Sequence, residues 1–263
     1  MGRLCIPVLV TILIVICLFS CKKEPALQDE YKLSYGDSIL YLRNAGNNII
    51  YPIEQREGSY SSFPEGLQID ESTGAIDLAD SETGLRYRVT HTDPAGKKTS
   101  TLIVVSGINY TDKYYNLSQG DTIARPIYNA EESIALPVSG SIFDDGSMAN
   151  NSGCSVKTVN GEINLAETMR NGFLAYVNDD KREIDIVYRL NDRSDKAQNK
   201  IRVKLYFYHS MATVAPDLLE TLRERDEMGV FLVNQPILPG SGGSARALAE
   251  AKPRPPCIII IAN

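Results

Sequence analysis

Gly66-Leu-Gln-Ile-Asp-Glu-Ser-Thr-Gly-Ala-Ile-Asp-Leu-Ala-Asp-Ser81 and Gly153-Cys-Ser-Val-Lys-Thr-Val-Asn-Gly-Glu-Ile-Asn-Leu-Ala-Glu-Thr168 are one stretch written twice. They align without a gap, and Gly66/Gly153, Gly74/Gly161, Ile76/Ile163, Leu78/Leu165 and Ala79/Ala166 are identical. Around each central glycine the apolar residues alternate: Leu67, Ile69, Ile76 and Leu78 in the first copy, Cys154, Val156, Ile163 and Leu165 in the second. Period two marks a strand with one buried face. Ser72-Thr73-Gly74 supplies a turn in which glycine accepts φ > 0. The stretch therefore reads as strand, tight turn, strand, present twice.

Other blocks recur in the same order. Tyr31-Lys-Leu-Ser-Tyr-Gly-Asp-Ser-Ile39 aligns with Tyr115-Asn-Leu-Ser-Gln-Gly-Asp-Thr-Ile123, and Ile49-Ile-Tyr-Pro-Ile53 with Ile134-Ala-Leu-Pro-Val138. Tyr87 to Val105 aligns with Ile186 to Lys204, with Asp93/Asp192, Lys97/Lys196 and Val104/Val203 identical. The offsets run 84, 85, 87 and 99, growing along the chain. Such growth is expected of a duplicated module whose second copy gained loop residues, an inexpensive change because closure entropy rises slowly with length. The largest step predicts an insertion between Thr168 and Ile186, and the second copy's other extra loop is expected at Phe143 to Ser152.

The chain of 263 residues has room for two small modules, each long enough for a β-sandwich core. Turn signals every 8–12 residues or so, as at Asp93-Pro-Ala-Gly96, fit that architecture. The predicted class is all-β: two tandem β-sandwich modules over 31–108 and 109–208, followed by a small mixed tail over 209–263. In the tail, Pro216 to Met228 reads as a short helix with Leu218, Leu219 and Leu222 on one face. Val230 to Val233 reads as a strand, and Pro239 to Ser244 as flexible by composition. Cys257-Ile-Ile-Ile-Ile-Ala262 is apolar without alternation, so it is expected to be covered on both faces or paired in a sheet. The same strand is the candidate for docking the tail onto the second module.

Phe63-Pro-Glu-Gly-Leu-Gln-Ile-Asp-Glu-Ser-Thr-Gly-Ala-Ile76 resembles the LPxGLxxDxxTGxIxG core of immunoglobulin-like and cadherin-like modules in bacterial surface proteins, with Leu78 in place of the final glycine. That resemblance implies two immunoglobulin-like domains. At the N-terminus Met1-Gly-Arg3 precedes an apolar run from Cys5 to Ser20, then Cys21-Lys22-Lys23-Glu24 turns polar. The run has signal-peptide length and is short for a spanning helix, the alternative being an uncleaved signal anchor. Leu18-Phe19-Ser20-Cys21 resembles a bacterial lipobox, with Phe19 departing from the usual residue. The resemblance implies a signal peptide over 1–20, a lipid on Cys21 and a tether over 21–30. Acyl chains on one residue suffice for stable anchoring, so the implied partner is a membrane. Lys22 and Lys23 favour the outer membrane without deciding the leaflet; the cell surface is the address expected of a Bacteroidetes-type lipoprotein, the periplasmic face being the alternative.

Chemistry is sparse. The net charge is −6, and −7 once Arg3 leaves with the signal; without a basic stripe this argues against nucleic acid. No cofactor is implied by any motif: no nucleophile elbow, Walker loop, Cys-x-x-Cys or His-Glu-x-x-His occurs. His91 and His209 are the two histidines, and His91 aligns with Leu190 as an inward strand residue. Asp144-Asp145 could offer carboxylates to Ca²⁺, but cadherin-type calcium motifs are absent and solvated loop acids are expected. Cys154 and Cys257 remain in the folded part, and Cys154 aligns with Leu67 as a small core hydrophobe. Tyr110, Tyr114 and Tyr115 read either as a packed joint between modules or as an exposed aromatic site. Gly36-Asp-Ser-Ile39 and Gly120-Asp-Thr-Ile123 read as Asp turns; they also resemble the Asp-Ser/Thr-aliphatic O-glycosylation sequon of Bacteroidetes envelope proteins, which implies Ser38 and Thr122 as acceptors. Three functions compete: a non-enzymatic binding, adhesion or spacer lipoprotein with a glycan or protein ligand; a carbohydrate-binding accessory of polysaccharide uptake; and a glycoside hydrolase with scattered carboxylates. Zero Trp counts against the second, and the missing motifs against the third.

Overall fold

The two copies of the repeated stretch fold alike because each glycine occupies a position closed to other residues. Gly74 and Gly161 have φ of 71° and 72°. Gly74 N–H donates to the Asp70 carbonyl at 2.9 Å, and Gly161 N–H to the Lys157 carbonyl at 2.8 Å. An aromatic ring lies directly beneath each: a Cβ on Gly74 would stand 2.7 Å from the Tyr60 ring, and one on Gly161 2.8 Å from Phe143. A buried tyrosine closes each turn from the other side, Tyr35 Oη donating to the Gly74 carbonyl at 2.7 Å and Tyr110 Oη to the Gly161 carbonyl at 2.6 Å. Ile69 faces Ile76, and Val156 faces Ile163, in antiparallel register. Leu67, Ile76, Leu78, Cys154, Ile163 and Leu165 are all buried.

The computed structural model describes residues 31–227 and 256–263. The protein is all-β, with few helices. In the first half, Ile39–Leu40 (β1), Lys98–Val105 (β7), Arg86–Thr92 (β6) and Ser59–Phe63 (β3) form one sheet in the order β1-β7-β6-β3. Ile49–Ile50 (β2), Ile76–Asp77 (β5) and Gln68–Ile69 (β4) form a second, in the order β2-β5-β4. Lettered A to G along the chain, these are the B-E-D and C-F-G sheets of an immunoglobulin-type arrangement. The first strand pairs in parallel with the last, Ile39 opposite Val104. Inward positions Tyr87, Val89 and His91 on β6 are buried while their neighbours are not, the alternation a half-covered sheet requires.

The second half keeps the plan and adds to it. Ile142–Phe143 (β12), Asp180–Arg189 (β14) and Gln198–Tyr208 (β15) continue into Cys257–Ile261 (β16) and Lys113–Asn116 (β9), in the order β12-β14-β15-β16-β9. Ile123–Ala124 (β10) pairs with Ile163–Asn164 (β13), and Pro126–Tyr128 (β11) with Ile108–Tyr110 (β8). The residues gained by this half are not plain loops. Phe143 to Ser152 holds the end of β12 and a short helix, Met148–Asn151, while the helix Leu165–Arg170 occupies the start of the expected insertion. Asn164 caps that second helix, its side chain accepting from Glu167 N.

β16 lies parallel to both neighbours, with Ile258 opposite Leu205 and Lys113, and Ile260 opposite Phe207 and Tyr115. Ile258 and Ile260 enter the main core beside Phe207 and Tyr115. Ile259 and Ile261 face the other way, against Val214 and Leu218, with Leu219 and Leu222 packed around them. The helix Pro216–Glu227 supplies those leucines. The unbroken apolar run is thus both paired in a sheet and covered on both faces. Tail positions 230–233 and 239–244 lie outside the described residues.

The repeat register differs from the sequence alignment in three places. Ile50 faces Ile76 across β2 and β5, and Ala124 faces Ile163 across β10 and β13. Ile123 is therefore the counterpart of Ile49, not of Ile39, and Ile134 to Val138 contains no strand. Tyr60, beneath Gly74, faces His91, while Phe143, beneath Gly161, faces Tyr188. His91 thus corresponds to Tyr188 rather than Leu190; a two-residue shift keeps every side chain on its face. Tyr87 faces Ile103 and Ile184 faces Val203. Val203 then corresponds to Ile103, and the identical letter at Val104 is one residue out of step, on the opposite face.

Gly74→Ala and Gly161→Ala should each cost about 2 kcal/mol or more, since both left-handed φ and ring overlap oppose a Cβ; urea unfolding checks this. A second test concerns Asp70. Hydrogen bonds from Ser72 and Thr73 hold its carboxyl at about 2, below the ordinary aspartate range. A depressed folded value gives stability that is present above the unfolded value and lost as pH falls through about 2. The Asp70 carboxyl signal in NMR should titrate near 2, and Asp70→Asn should flatten the acid limb of the stability curve.

Candidate functional site

The residues that follow β7 run directly into a buried polar joint. Ile108, Asn109 and Tyr110 of β8 are fully buried, so every polar group there needs a partner. Tyr188 Oη, on β14 of the second half, bonds Thr83 Oγ1 at 2.7 Å and accepts from Ile108 N at 3.2 Å. Thr83 Oγ1 donates onward to the Ile108 carbonyl at 3.1 Å. Asn109 Nδ2 donates to Glu82 Oε1 and to the Thr83 carbonyl, both at 2.8 Å. Asn129 Oδ1 accepts from Gly107 N at 3.0 Å. Burial raises the Tyr188 hydroxyl above its ordinary value, and burial with the Asp192 carboxylate raises that of Tyr128, so both remain neutral donors at physiological pH.

The rim of the joint is charged. Tyr128 Oη donates to Asp192 Oδ2 at 2.7 Å. Arg193 reaches Asp37 at 3.1 Å, and its guanidinium stands 5.0 Å from the Tyr41 ring centre. Asn44 Nδ2 donates to the Asp195 carbonyl at 2.8 Å. The β14–β15 turn is thereby held against residues 37–44 of the first half, and the described residues from Leu33 onward form one compact unit.

Beside the joint, the second half carries a cleft of about 520 Å³ whose lining includes Lys113, Arg125, Glu131, Ile134 and Leu136. Its charges are paired across water-accessible distances: Lys113 lies 3.7 Å from Asp121, Arg125 3.2 Å from Glu162, and Glu131 3.9 Å from Arg86. The Lys113 and Arg125 pairs involve exposed cations, so they contribute little to stability and can be re-partnered by a ligand, whereas Glu131 and Arg86 are largely covered. A smaller cleft of about 310 Å³ runs between the helix Pro216–Glu227 and the sheet, with Asp179, Lys204 and Thr221 in its lining.

The sequence-predicted site residues do not converge. Ser38 is exposed beside Asp37, whose Oδ1 accepts from Ile39 N at 3.2 Å in the expected Asp turn. Thr122 is half-buried, and its carbonyl accepts from Leu165 N at 2.8 Å. Cys21 lies outside the described residues. Asp144 is not the solvated loop acid expected: it is buried, accepting from Ala149 N at 2.8 Å and Asn150 N at 2.9 Å at the start of a helix, while Asp145 pairs with Arg189 at 2.7 Å. Among the described residues no group of three or more His, Cys, Asp or Glu is placed to hold a metal, and no helix is long and apolar enough to cross a membrane. His91 is buried with Nε2 3.1 Å from the Glu57 carbonyl, and His209 Nε2 is 3.3 Å from the Tyr176 carbonyl. Tyr110 and Tyr115 are core residues, and Tyr114 alone of the three is exposed. Cys154 and Cys257 are both buried and not bridged to each other. The joint residues Thr83, Asn109 and Tyr188 carried no signal, because Tyr188 reads as one more inward strand position.

No family model and no curated protein matches the chain. Among solved structures, mouse clustered PcdhgC3 EC1-3 is similar at 11% identity and a TM-score of 0.20, over 67% of this chain and 67% of that one. A likeness of that extent carries no argument, and the immunoglobulin-type assignment rests on strand order.

Tyr188→Phe should cost about 1–3 kcal/mol, because the Ile108 N–H loses its buried acceptor; denaturant unfolding with probes in each half checks this. Burial pushes the Cys154 thiol up to about 12, so it should resist thiol reagents until the chain unfolds.

Proposed function

We propose that the chain is a non-enzymatic lipoprotein, anchored through Cys21 in the outer membrane, whose modules over 31–108 and 109–208 present a binding or adhesive surface or act as a spacer. The observation that carries this reading is the joint. Tyr188, Thr83, Asn109 and Asn129 fasten one half to the other through buried hydrogen bonds, which fixes the orientation of whatever the second half presents. A membrane-tethered presenter gains from such rigidity, because a held orientation lowers the ordering cost of binding. Chemistry-bearing side chains support the same reading: His91 and His209 each set Nε2 against a backbone carbonyl, and Asp144 accepts from Ala149 N and from the backbone and side-chain amides of Asn150.

The cleft at Lys113, Arg125 and Glu131 is the proposed ligand surface, since its two cations are exposed and weakly held. A protein ligand fits this surface better than a glycan. The two aromatics in its lining, Tyr115 and Tyr128, are both buried, with Lys113 Nζ 4.3 Å from the Tyr115 ring centre and the Tyr128 hydroxyl on Asp192, so neither offers an open stacking face. Glycan capture for polysaccharide uptake is the second arm of the test.

Cys21→Ser should leave an unprocessed precursor and abolish incorporation of a clickable fatty acid; undiminished labelling would remove the anchor. Ser38→Ala and Thr122→Ala should each lower the mass of the native protein by one glycan if the sequons are used. For binding, Lys113→Glu with Arg125→Glu should reduce ligand capture about tenfold or more, measured on a glycan array and against surface-protein extracts. Turnover of a glycan, peptide or ester that is lost on changing one carboxylate or histidine would overturn the non-enzymatic reading.

A further inference from the structure

The outward face of the first-half sheet carries a charge opposite to that of the chain. On β3 and β6 the inward residues are Tyr60, Tyr87, Val89 and His91, all buried. The residues between them point outward and line up in rows set by strand register. Phe63, Arg88 and Leu102 make one row, and Ser61, Thr90 and Ser100 the next. Ser59, Thr92 and Lys98 make the third. From Leu102 to Lys98 along β7 the rows extend over roughly 14 Å. They contain two cations and no aspartate or glutamate, on a chain whose net charge is −6.

Arg88 is the anchor of this face. It is half-buried, and its guanidinium carbon stands 5.6 Å from the Phe63 ring centre. Among the described residues no carboxylate lies within ion-pair reach of Arg88 or Lys98; on β6 it is Arg86, one row nearer the second half, that meets Glu131 at 3.9 Å. Contact with a ring steadies a guanidinium without spending its N–H groups, which stay free to grip a planar carboxylate in two-pronged fashion. Phe63 and Leu102, 39% and 44% exposed, leave apolar surface on either side of it. The neighbouring row offers hydroxyls: Thr90 Oγ1 and Ser100 Oγ lie 2.8 Å apart, and Ser61 beside them is exposed. These side chains are short, and none of the residues in the rows lines either cleft. The face is therefore level, with no depression to seat a peptide side chain. Hydroxyls that both donate and accept suit the hydroxyls of a sugar.

We propose that this face binds a glycan bearing uronic acids: Arg88 takes a carboxylate, the row at Ser61, Thr90 and Ser100 bonds sugar hydroxyls, and Lys98 attracts the chain from the far end. The site is separate from the cleft at Lys113 and Arg125, and it stands whether or not that cleft takes a protein.

The test titrates the full chain with polygalacturonate by calorimetry, with neutral dextran, dextran sulfate and poly-glutamate as comparisons. Polygalacturonate should bind more tightly than the other three, and its binding should weaken as salt is raised. Arg88→Gln should lower the affinity about tenfold or more, the loss expected of one charge-assisted bond. Arg88→Lys keeps the charge without the fork and should restore only part of it. Leu102→Glu changes an exposed strand position and sets a like charge beside the incoming carboxylate, so it should abolish binding even if Arg88→Gln fails to fold. Lys200→Gln, at an exposed lysine of the second half, should change nothing. No binding of polygalacturonate would overturn the proposal. Equal binding of dextran sulfate or poly-glutamate would overturn it too, since the face would then take any polyanion, as would an affinity that Leu102→Glu leaves intact.

Discussion

Each half of the molecule is built on a backbone position that only glycine fills comfortably. At Gly74 and Gly161 the chain reverses with φ near 70°, and the absent side chain leaves room for a ring to lie against the turn. Tyr60 and Phe143 use that room, and Tyr35 and Tyr110 then reach the glycine carbonyls from the other side. The strand pairs, the inward residues and the opposite sheet take their register from this arrangement. Asp70 reinforces the first turn, yet Lys157 stands in its place in the second without altering the backbone bonds. The glycine and the ring beneath it, rather than the aspartate, therefore set the turn.

The joint depends on the opposite principle, in that buried polar groups must be paired. The β8 backbone enters the interior and brings donors and acceptors with it; Tyr188, Thr83, Asn109 and Asn129 satisfy them. Directional bonds of this sort fix an orientation more narrowly than apolar contact would. The Arg193–Asp37 contact at the rim is exposed and adds little to that energy. Rigid linkage of the halves follows from the interior of the joint.

The second half carries a further obligation. Burying an isoleucine side chain is worth roughly 1.5–3 kcal/mol, and Ile258 to Ile261 bury four in sequence across two cores. Against a typical net stability of about 5–15 kcal/mol, β16 is a major contributor to the fold. Phe207 and Tyr115 below it, and the leucines of the Pro216–Glu227 helix above it, would otherwise face water.

Alternation and glycine placement made the repeated hairpin, its buried residues and the all-β class legible from the sequence, because period two and φ > 0 are local properties of the chain. The helix from Pro216 and the burial of Cys257 to Ile261 on both faces were legible for the same reason: face and continuity of apolarity are local. The tertiary structure alone decided which strands pair. Tyr31 to Ile39 and Tyr115 to Ile123 share letters because both contain a turn. Yet Ile123 lies where Ile49 does, since pairing with Ile163 is fixed by the opposite sheet. Val104 and Val203 share a letter and not a face, because register is set across strands rather than along them. Tyr188 reads in sequence as one more core aromatic. Its role at the joint exists only where Thr83, more than a hundred residues away, is folded against it.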